Sequence, residues 1–264
     1  MTWLFTATSV TDVTPGMRRV VFTGEAVGEY LADGLLPNIK ILLPKPDGTY
    51  GVPELDDPSS HEVTDLPRRA DLRPRVRTYT VRSFDEQARS LTIDFVNHGD
   101  EGLASGWAAR AEPGSTLCAA GGGGRAISIA DTYLLAGDET ALPAIGSILE
   151  TMDPAATGTA YIEIADDGER QDLQKPSGVD VVWLSRDGAP AGTTTLLQDA
   201  VAAHELPDGV FAWASAESAQ TLAIRKDLRA RGLDRKSMLV IGYWRRGFTE
   251  IDYATTSNHD RDDS

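Results

Sequence analysis

The fold is decided by the stretch YLLAGDETALPAIGSILETM, residues 133–152. Its first four residues are a short continuous apolar run, the pattern of a strand buried on both faces. Gly137 and Asp138 end the run, and ETALPAIGSILETM (139–152) then fits a helix. A buried strand that feeds a helix is a βα unit, and βα units build parallel sheets. The pattern continues downstream. TAYIEIA (159–165) and VDVVWLS (179–185) read as strands with a short polar connection. TTLLQDAVAAHEL (194–206) reads as a helix, GVFAWAS (209–215) as a strand, AQTLAIRKDLRARGL (219–233) as a helix and SMLVIGYW (237–244) as a strand.

Upstream of residue 127 the period is different. WLFTATSVTDV, RRVVFTG, NIKILLP, VRTYTVRSF, SLTIDFVNHG and STLCAAG read as six short strands separated by Gly, Pro and Asp. A short helix at GLASGWAARA is the one interruption expected. Such strands predict a small antiparallel barrel. Residues 44–74, rich in Pro, Asp and Arg, read as a long excursion from it. The expected organisation is therefore a β-barrel domain over 1–126, a parallel-sheet α/β domain over 127–252 and a polar, disordered tail over 253–264.

Bulk properties narrow the function. The 264 residues carry a formal net charge of −15, which excludes nucleic acid as a partner, because phosphate backbones need surplus Lys and Arg. A local basic patch for a small anion is still compatible with that charge. The single cysteine, Cys118, forms no internal disulfide and is expected to be a small buried apolar residue. The four histidines, at 61, 98, 204 and 259, lack metal-ligand spacing. No apolar run reaches the length of a membrane span. The arginines of MTWLFTATSVTDVTPGMRR follow its apolar stretch, the reverse of a secretory signal, so a cytoplasmic protein is expected.

Against that acidic background, RVRTYTVR (75–82) stands out. Alternation puts Arg75, Arg77 and Tyr79 on one face of a strand and Thr78, Thr80 and Arg82 on the other. A flavin needs a flat aromatic, a hydroxyl or backbone donor near its reactive nitrogen, and a cation on its pyrophosphate, for which Arg is well shaped. The same stretch also reads as a barrel strand with solvated arginines. A barrel followed by a nucleotide-type sheet suggests one half holding a flavin and the other presenting a nicotinamide. His98, ahead of the helix start at Ala104 and Ser105, is either a phosphate partner at a helix N-terminus or a structural histidine. Gly121 to Arg125 departs from the GxGxxG fingerprint, since Ala126 stands where the last glycine would be. Asp138, Glu139 and Thr140 fit helix capping as well as a ligand role.

Together RTYTVR, DFVNHG, GLASGWA, AGDETALPAI and GYWRRG, in this order, resemble the siderophore-interacting proteins, flavin-dependent ferric-siderophore reductases of ferredoxin-reductase type. The resemblance runs from about residue 15 to 250 and implies an FAD-binding barrel and an NAD(P)H-binding-type domain. It implies that Arg77, Tyr79, Thr80 and Arg82 hold the flavin, that Asp94, Val96 and His98 continue the site, and that Ala104, Ser105 and Trp107 lie toward the pyrophosphate and adenine. Trp244 joins the flavin set. Asp138, Glu139, Thr140, Ser215 and Glu217 are assigned to NAD(P)H, and Arg186 is expected to meet a 2′-phosphate. The chain departs from the family at Gly121–Gly122, usually a Gly-Pro pair. It departs again at Ala216, usually Gly, where a methyl group is expected to crowd the cofactor.

The implied substrate is a ferric siderophore, drawn to a basic mouth of Lys45, Arg125, Arg245 and Arg246. One-electron reduction releases the metal, because Fe(II) is held far more weakly than Fe(III) by hard oxygen donors. The donor is NADH, NADPH or a reduced ferredoxin. Two other readings share the fold: a reductase of free flavin or of a ferredoxin-like protein, and a flavoprotein that binds a ferric chelate without turnover.

Overall fold

The computed structural model describes residues 2–34, 37–45, 47–56, 71–97, 102–125 and 127–257. The chain divides into two compact units, residues 1–126 and 127–264.

The first unit is a seven-stranded antiparallel sheet. Its strands are β1 (Trp3–Thr14), β2 (Met17–Thr23), β3 (Asn38–Leu42), β4 (Val76–Thr80), β5 (Ser83–Asp85), β6 (Ser90–Val96) and β7 (Thr116–Gly123). Their order is β4-β3-β7-β1-β2-β6-β5. β4 and β5 are the two halves of VRTYTVRSF, which accounts for seven strands against the six expected. Two residues, Val81 and Arg82, separate these halves. The Val81 amide donates to the Pro37 carbonyl beside β3, while the next amide, Arg82, donates to Thr92 on β6. One stretch thus carries the chain from one end strand of the sheet, β4, to the other, β5.

Alternation along these strands fills the barrel with aromatic rings. Phe5, Phe22 and Phe95 are fully buried. A helix that the sequence reading missed, α1 (Glu25–Ala32), covers this core. Its Val27, Tyr30 and Leu31 are buried at helical spacing, and Tyr30 meets Trp3 and Phe5 edge-on, at centroid distances of 5.2 and 5.6 Å. Gly28 lowers helix propensity in the middle of the segment. There it leaves room for the Arg89 side chain, which a Cβ would overlap.

The excursion after β3 builds a second apolar cluster. Tyr50, Val52, Leu55 and Leu72 pack on Leu42 and Cys118, with α2 (Pro53–Asp56) inside the excursion. Cys118 is fully buried and burial pushes its thiol up to about 12, so it serves as packing. Arg75 is structural: its guanidinium donates to the Leu43 carbonyl at 2.8 Å and to the Tyr50 carbonyl. The helix expected near residue 104 is α3 (Leu103–Arg110).

The second unit is a five-stranded parallel sheet. Its elements are β8 (Thr132–Gly137), α4 (Leu142–Thr151), β9 (Thr157–Ile164), β10 (Gly178–Ser185), α5 (Leu196–Ala203), β11 (Phe211–Glu217), α6 (Ser218–Ala230) and β12 (Met238–Trp244). The order β10-β9-β8-β11-β12 runs outward in both directions from β8. The topological switch point therefore lies between β8 and β11, and ligands of such sheets bind at the carboxyl ends there. The expected tail is corrected over its first residues. Helix α7 (Glu250–Ser257) buries Tyr253 against Gly242, where any Cβ would strike the Tyr253 hydroxyl. The rest of the tail, 258–264, lies outside the described residues. No described helix is long and apolar enough to cross a membrane.

Candidate functional site

In the barrel, the residues of RTYTVR have separate surroundings. Tyr79 is half-buried on the core, with its ring 4.6 Å from that of Phe95. Arg77 donates to the carbonyls of Pro74 and Val76 at 2.9 and 2.8 Å. Thr80 and Arg82 are buried. Arg82 approaches Asp94 at 3.8 Å, and Arg19 grips the same carboxylate with two bonds of 2.7 Å. Arg19 was missed from sequence; it reaches Asp94 because the β2–β6 register places the two directly opposite. Two guanidinium groups thus approach one buried carboxylate.

α3 packs beside this group. Its Trp107 lies 5.3 Å from Phe95, the residue after Asp94, and is stacked on Phe22 at 6.4 Å. Trp107 is therefore part of the core, as are Ala104 and Ala108. Ser105 is also buried. The helix begins at Gly102 with no side-chain cap, so its first amides point outward unmatched by a side chain of the cap. Val96 ends β6 half-buried, and His98 lies outside the described residues. The glycine run continues β7 rather than starting a new strand. β7 bulges there: Ile39 and Ile41 face Gly122 and Ala119, and Gly121 takes the positive φ of +73° that the bulge requires.

The charged residues assigned to a basic mouth do not converge within this unit. Asn38 pairs with Gly123 and Leu42 with Cys118, so Lys45 and Arg125 leave opposite ends of the β3–β7 pair. Both are exposed, and Lys45 folds over Gly51. Lys40, not singled out from sequence, lies nearer Arg125 on the same pair and reaches the Thr78 hydroxyl at 3.2 Å. In the second unit Arg246 is exposed, while Arg245 sits 4.3 Å over the Phe248 ring.

At the switch point of the parallel sheet, carboxylates hold the strand ends together. Asp138, buried, accepts from the Thr140 amide at 2.9 Å, the Thr140 hydroxyl at 2.5 Å and the Trp244 indole at 2.7 Å. Burial pushes its carboxyl up to about 6 against the pull of these donors. Gly137 is required at the end of β8, since a Cβ would overlap Ala141 and Ile145. Glu217 caps α6 through the Ala219 amide at 2.6 Å and accepts from the Arg246 amide at 3.2 Å. Trp244 packs toward Gly192 beside Glu217. Its indole thus spans from the end of β12, past β11, to β8. Ser215 is buried. Ala216 is fully buried with its methyl in the core of the unit, so the crowding of a cofactor expected from that methyl does not arise.

Arg186 also differs from expectation. Rather than facing outward from β10, it is held by Glu139 through two bonds of 2.9 and 2.5 Å, and its side chain is 5% exposed. Glu163, fully buried, stands 3.6 Å away. Burial raises the Glu163 carboxyl despite the nearby guanidinium. Glu163 accepts from the Gln220 amide at 3.0 Å through one oxygen, and its other oxygen has no hydrogen-bond partner. Glu163 was missed because a lone acid inside TAYIEIA reads as an interruption of a strand. Among the described residues no group of His, Cys, Asp and Glu is arranged to hold a metal ion.

Comparison with known proteins agrees with both units. Residues 6–126 match the siderophore-interacting FAD-binding domain and residues 130–247 match the siderophore-interacting protein family. A solved siderophore utilization protein from T. fusca is 38% identical, with a TM-score of 0.82 covering 99% of this chain and 97% of its own. Ferric vibriobactin reductase ViuB of Vibrio cholerae is 33% identical over 91% of this chain and 88% of its own length. An NADPH-dependent ferric-chelate reductase of Escherichia coli is 29% identical over 90% of this chain and 91% of its own. The chain belongs to the siderophore-interacting protein family.

Proposed function

We propose that the protein is an FAD-dependent ferric-siderophore reductase, which releases iron as Fe(II) using electrons from NAD(P)H. The observation that carries the reading is the shared carboxylate of the barrel. Arg82 is buried 3.8 Å from Asp94, the carboxylate that Arg19 holds, and a guanidinium at this place suits the pyrophosphate that the flavin dinucleotide carries. The residues present fit that group. The uncapped start of α3 offers backbone donors, and Tyr79 offers an aromatic ring anchored on Phe95. Arg77 and Thr80 on β4 and Val96 at the end of β6 are assigned to the flavin, and His98 and Ser105 to the phosphate side.

When bound, FAD supplies the ability to accept an electron pair and pass on single electrons. The chain's own residues hold and orient. Asp138, Glu139, Thr140, Ser215 and Glu217, at the carboxyl ends of β8 and β11, are assigned to the nicotinamide donor, and Trp244, at the end of β12, is assigned to the flavin. A reduced ferredoxin is the alternative donor on this reading. The substrate is a ferric siderophore, and loss of one charge at the metal weakens its oxygen ligands. For an anionic siderophore the recruiting cations are Lys40 and Arg125 on the barrel, with Arg245 and Arg246 on the second unit. Lys45 is left out, since it points from the other end of the strand pair. The reading places the protein in the cytoplasm, with the reduced nicotinamide pool. The test is the purified protein's colour and content: FAD equimolar with chain is expected, and colourless protein that takes up no added FAD contradicts it.

A further inference from the structure

The carboxyl edge of β9 and β10 carries a surplus of negative charge. Both cations at this edge are already engaged. Arg186 is clasped by Glu139 and flanked by Glu163, and Arg170 is bonded to Asp167 at 2.8–2.9 Å. Asp166 sits at the same edge and caps the turn that follows β9. In a doubly wound sheet, the adenosine half of a dinucleotide lies over these second and third strands. An acid there accepts a bond from a ribose 2′-hydroxyl, whereas a free arginine there receives a 2′-phosphate.

We propose that Glu139 is a specificity-determining residue that selects a donor without a 2′-phosphate, NADH over NADPH, by holding Arg186 out of reach. The inference rests on the assignment of the nicotinamide donor to this sheet edge. For Arg186 to meet a 2′-phosphate, its two bonds to Glu139 must break. Glu139 would then stand without its cation beside buried Glu163, and both would face a dianionic phosphate. Like charges brought together at an interface weaken binding. A 2′-hydroxyl imposes no such rearrangement. The clasp also explains how one chain can present Ser185-Arg186 at the end of β10 and still discriminate against phosphate. Glu139 acts through Arg186, so it is a positioning residue with a measurable signature in the ratio of two affinities.

The experiment titrates the FAD-loaded protein calorimetrically with NAD+ and with NADP+, which differ only in the 2′-phosphate and do not turn over. Wild type is expected to bind NAD+ tighter by about tenfold or more. Glu139→Gln, which keeps the shape and removes the charge, is expected to narrow that ratio to about threefold or less, through tighter NADP+. Wild type binding NADP+ as tightly as NAD+ overturns the specificity while leaving the nucleotide site intact. An unchanged ratio in Glu139→Gln overturns the role of Glu139. Binding of neither nucleotide overturns the sheet-edge site and this inference with it.

Discussion

Each unit joins arginine to a buried carboxylate, and the ratio is opposite in the two: two arginines to one carboxylate in the barrel, two carboxylates to one arginine in the sheet. In the barrel, Arg19 and Arg82 share Asp94. In the parallel sheet, Glu139 and Glu163 share Arg186. Both clusters pair guanidinium with carboxylate at close range, and they differ in which group is shared. A binding role is therefore set by the balance of a buried cluster, not by the presence of an arginine. On the proposed reading Arg82 meets the dinucleotide pyrophosphate, and Glu139 holds Arg186 away from a 2′-phosphate.

The comparison breaks first on stability. Asp94→Asn leaves two guanidinium groups without their charge partner, and it is expected to cost roughly 3 kcal/mol in urea unfolding. Glu163→Gln removes one of two competing carboxylates and keeps an oxygen for the Gln220 amide. It is expected to change stability by less than roughly 1 kcal/mol, in either direction. Equal costs would mean that the two clusters are not opposites.

Ligand affinity gives the next effect. Arg82→Ala is expected to weaken FAD by roughly 1.5–3 kcal/mol, the scale of a lost charge-assisted hydrogen bond, while Arg19 keeps Asp94 satisfied. Fluorescence titration of the apo protein with FAD reads this directly, and unchanged affinity would detach the pyrophosphate from Arg82.

A pH dependence sharpens the second unit. Asp138 is raised from 3.8 to about 6 in the folded chain. Between those values the folded state binds a proton that the unfolded state has released, so this group's contribution to stability falls as pH rises through the window and is flat above it. Asp138→Asn lacks the group. The unfolding free energy of wild type minus that of Asp138→Asn is expected to decline from pH 4 to about 6.5; a difference that is constant or rises would contradict the buried, protonatable Asp138.

The smallest effects belong to the exposed cations. Lys40→Ala and Arg125→Ala are each expected to weaken an anionic ferric siderophore by roughly 0.5–1.5 kcal/mol, less at high salt. Lys45→Ala is expected to fall below that range. Quenching of flavin fluorescence measures all three, and a Lys45 effect larger than that of Lys40 would reverse the assignment.

Much of the fold was legible because periodicity reports burial. The continuous apolar runs of β8 and β11 and the alternation at the start of β1 follow from which faces are covered. α1 was hidden because eight residues with a central glycine carry little helical signal, and its apolar positions declare themselves only against Trp3 and Phe5. For the site, motif positions were legible and partners were not. RTYTVR and AGDETALPAI gave Arg82 and Glu139, but the partners Arg19, Glu163 and Arg186 lie 63, 24 and 47 positions away in sequence and meet them only through strand register and sheet order. Charge balance is a property of those pairings, so a sequence that displays Arg186 cannot display its neutralisation.

The central claim is electron flow from a nicotinamide donor through a flavin on this chain to siderophore-bound iron. The direct measurement is anaerobic: the FAD-loaded protein is bleached with NADH or NADPH, excess donor is removed, and a ferric siderophore is added with a strong Fe(II) chelator. The account predicts that the flavin colour returns as Fe(II) appears in the trap, two irons for each reduced flavin because FAD carries an electron pair and each Fe(III) takes one. A reduced flavin that stays bleached with ferric siderophore present, or that recovers without trapped Fe(II), would contradict it.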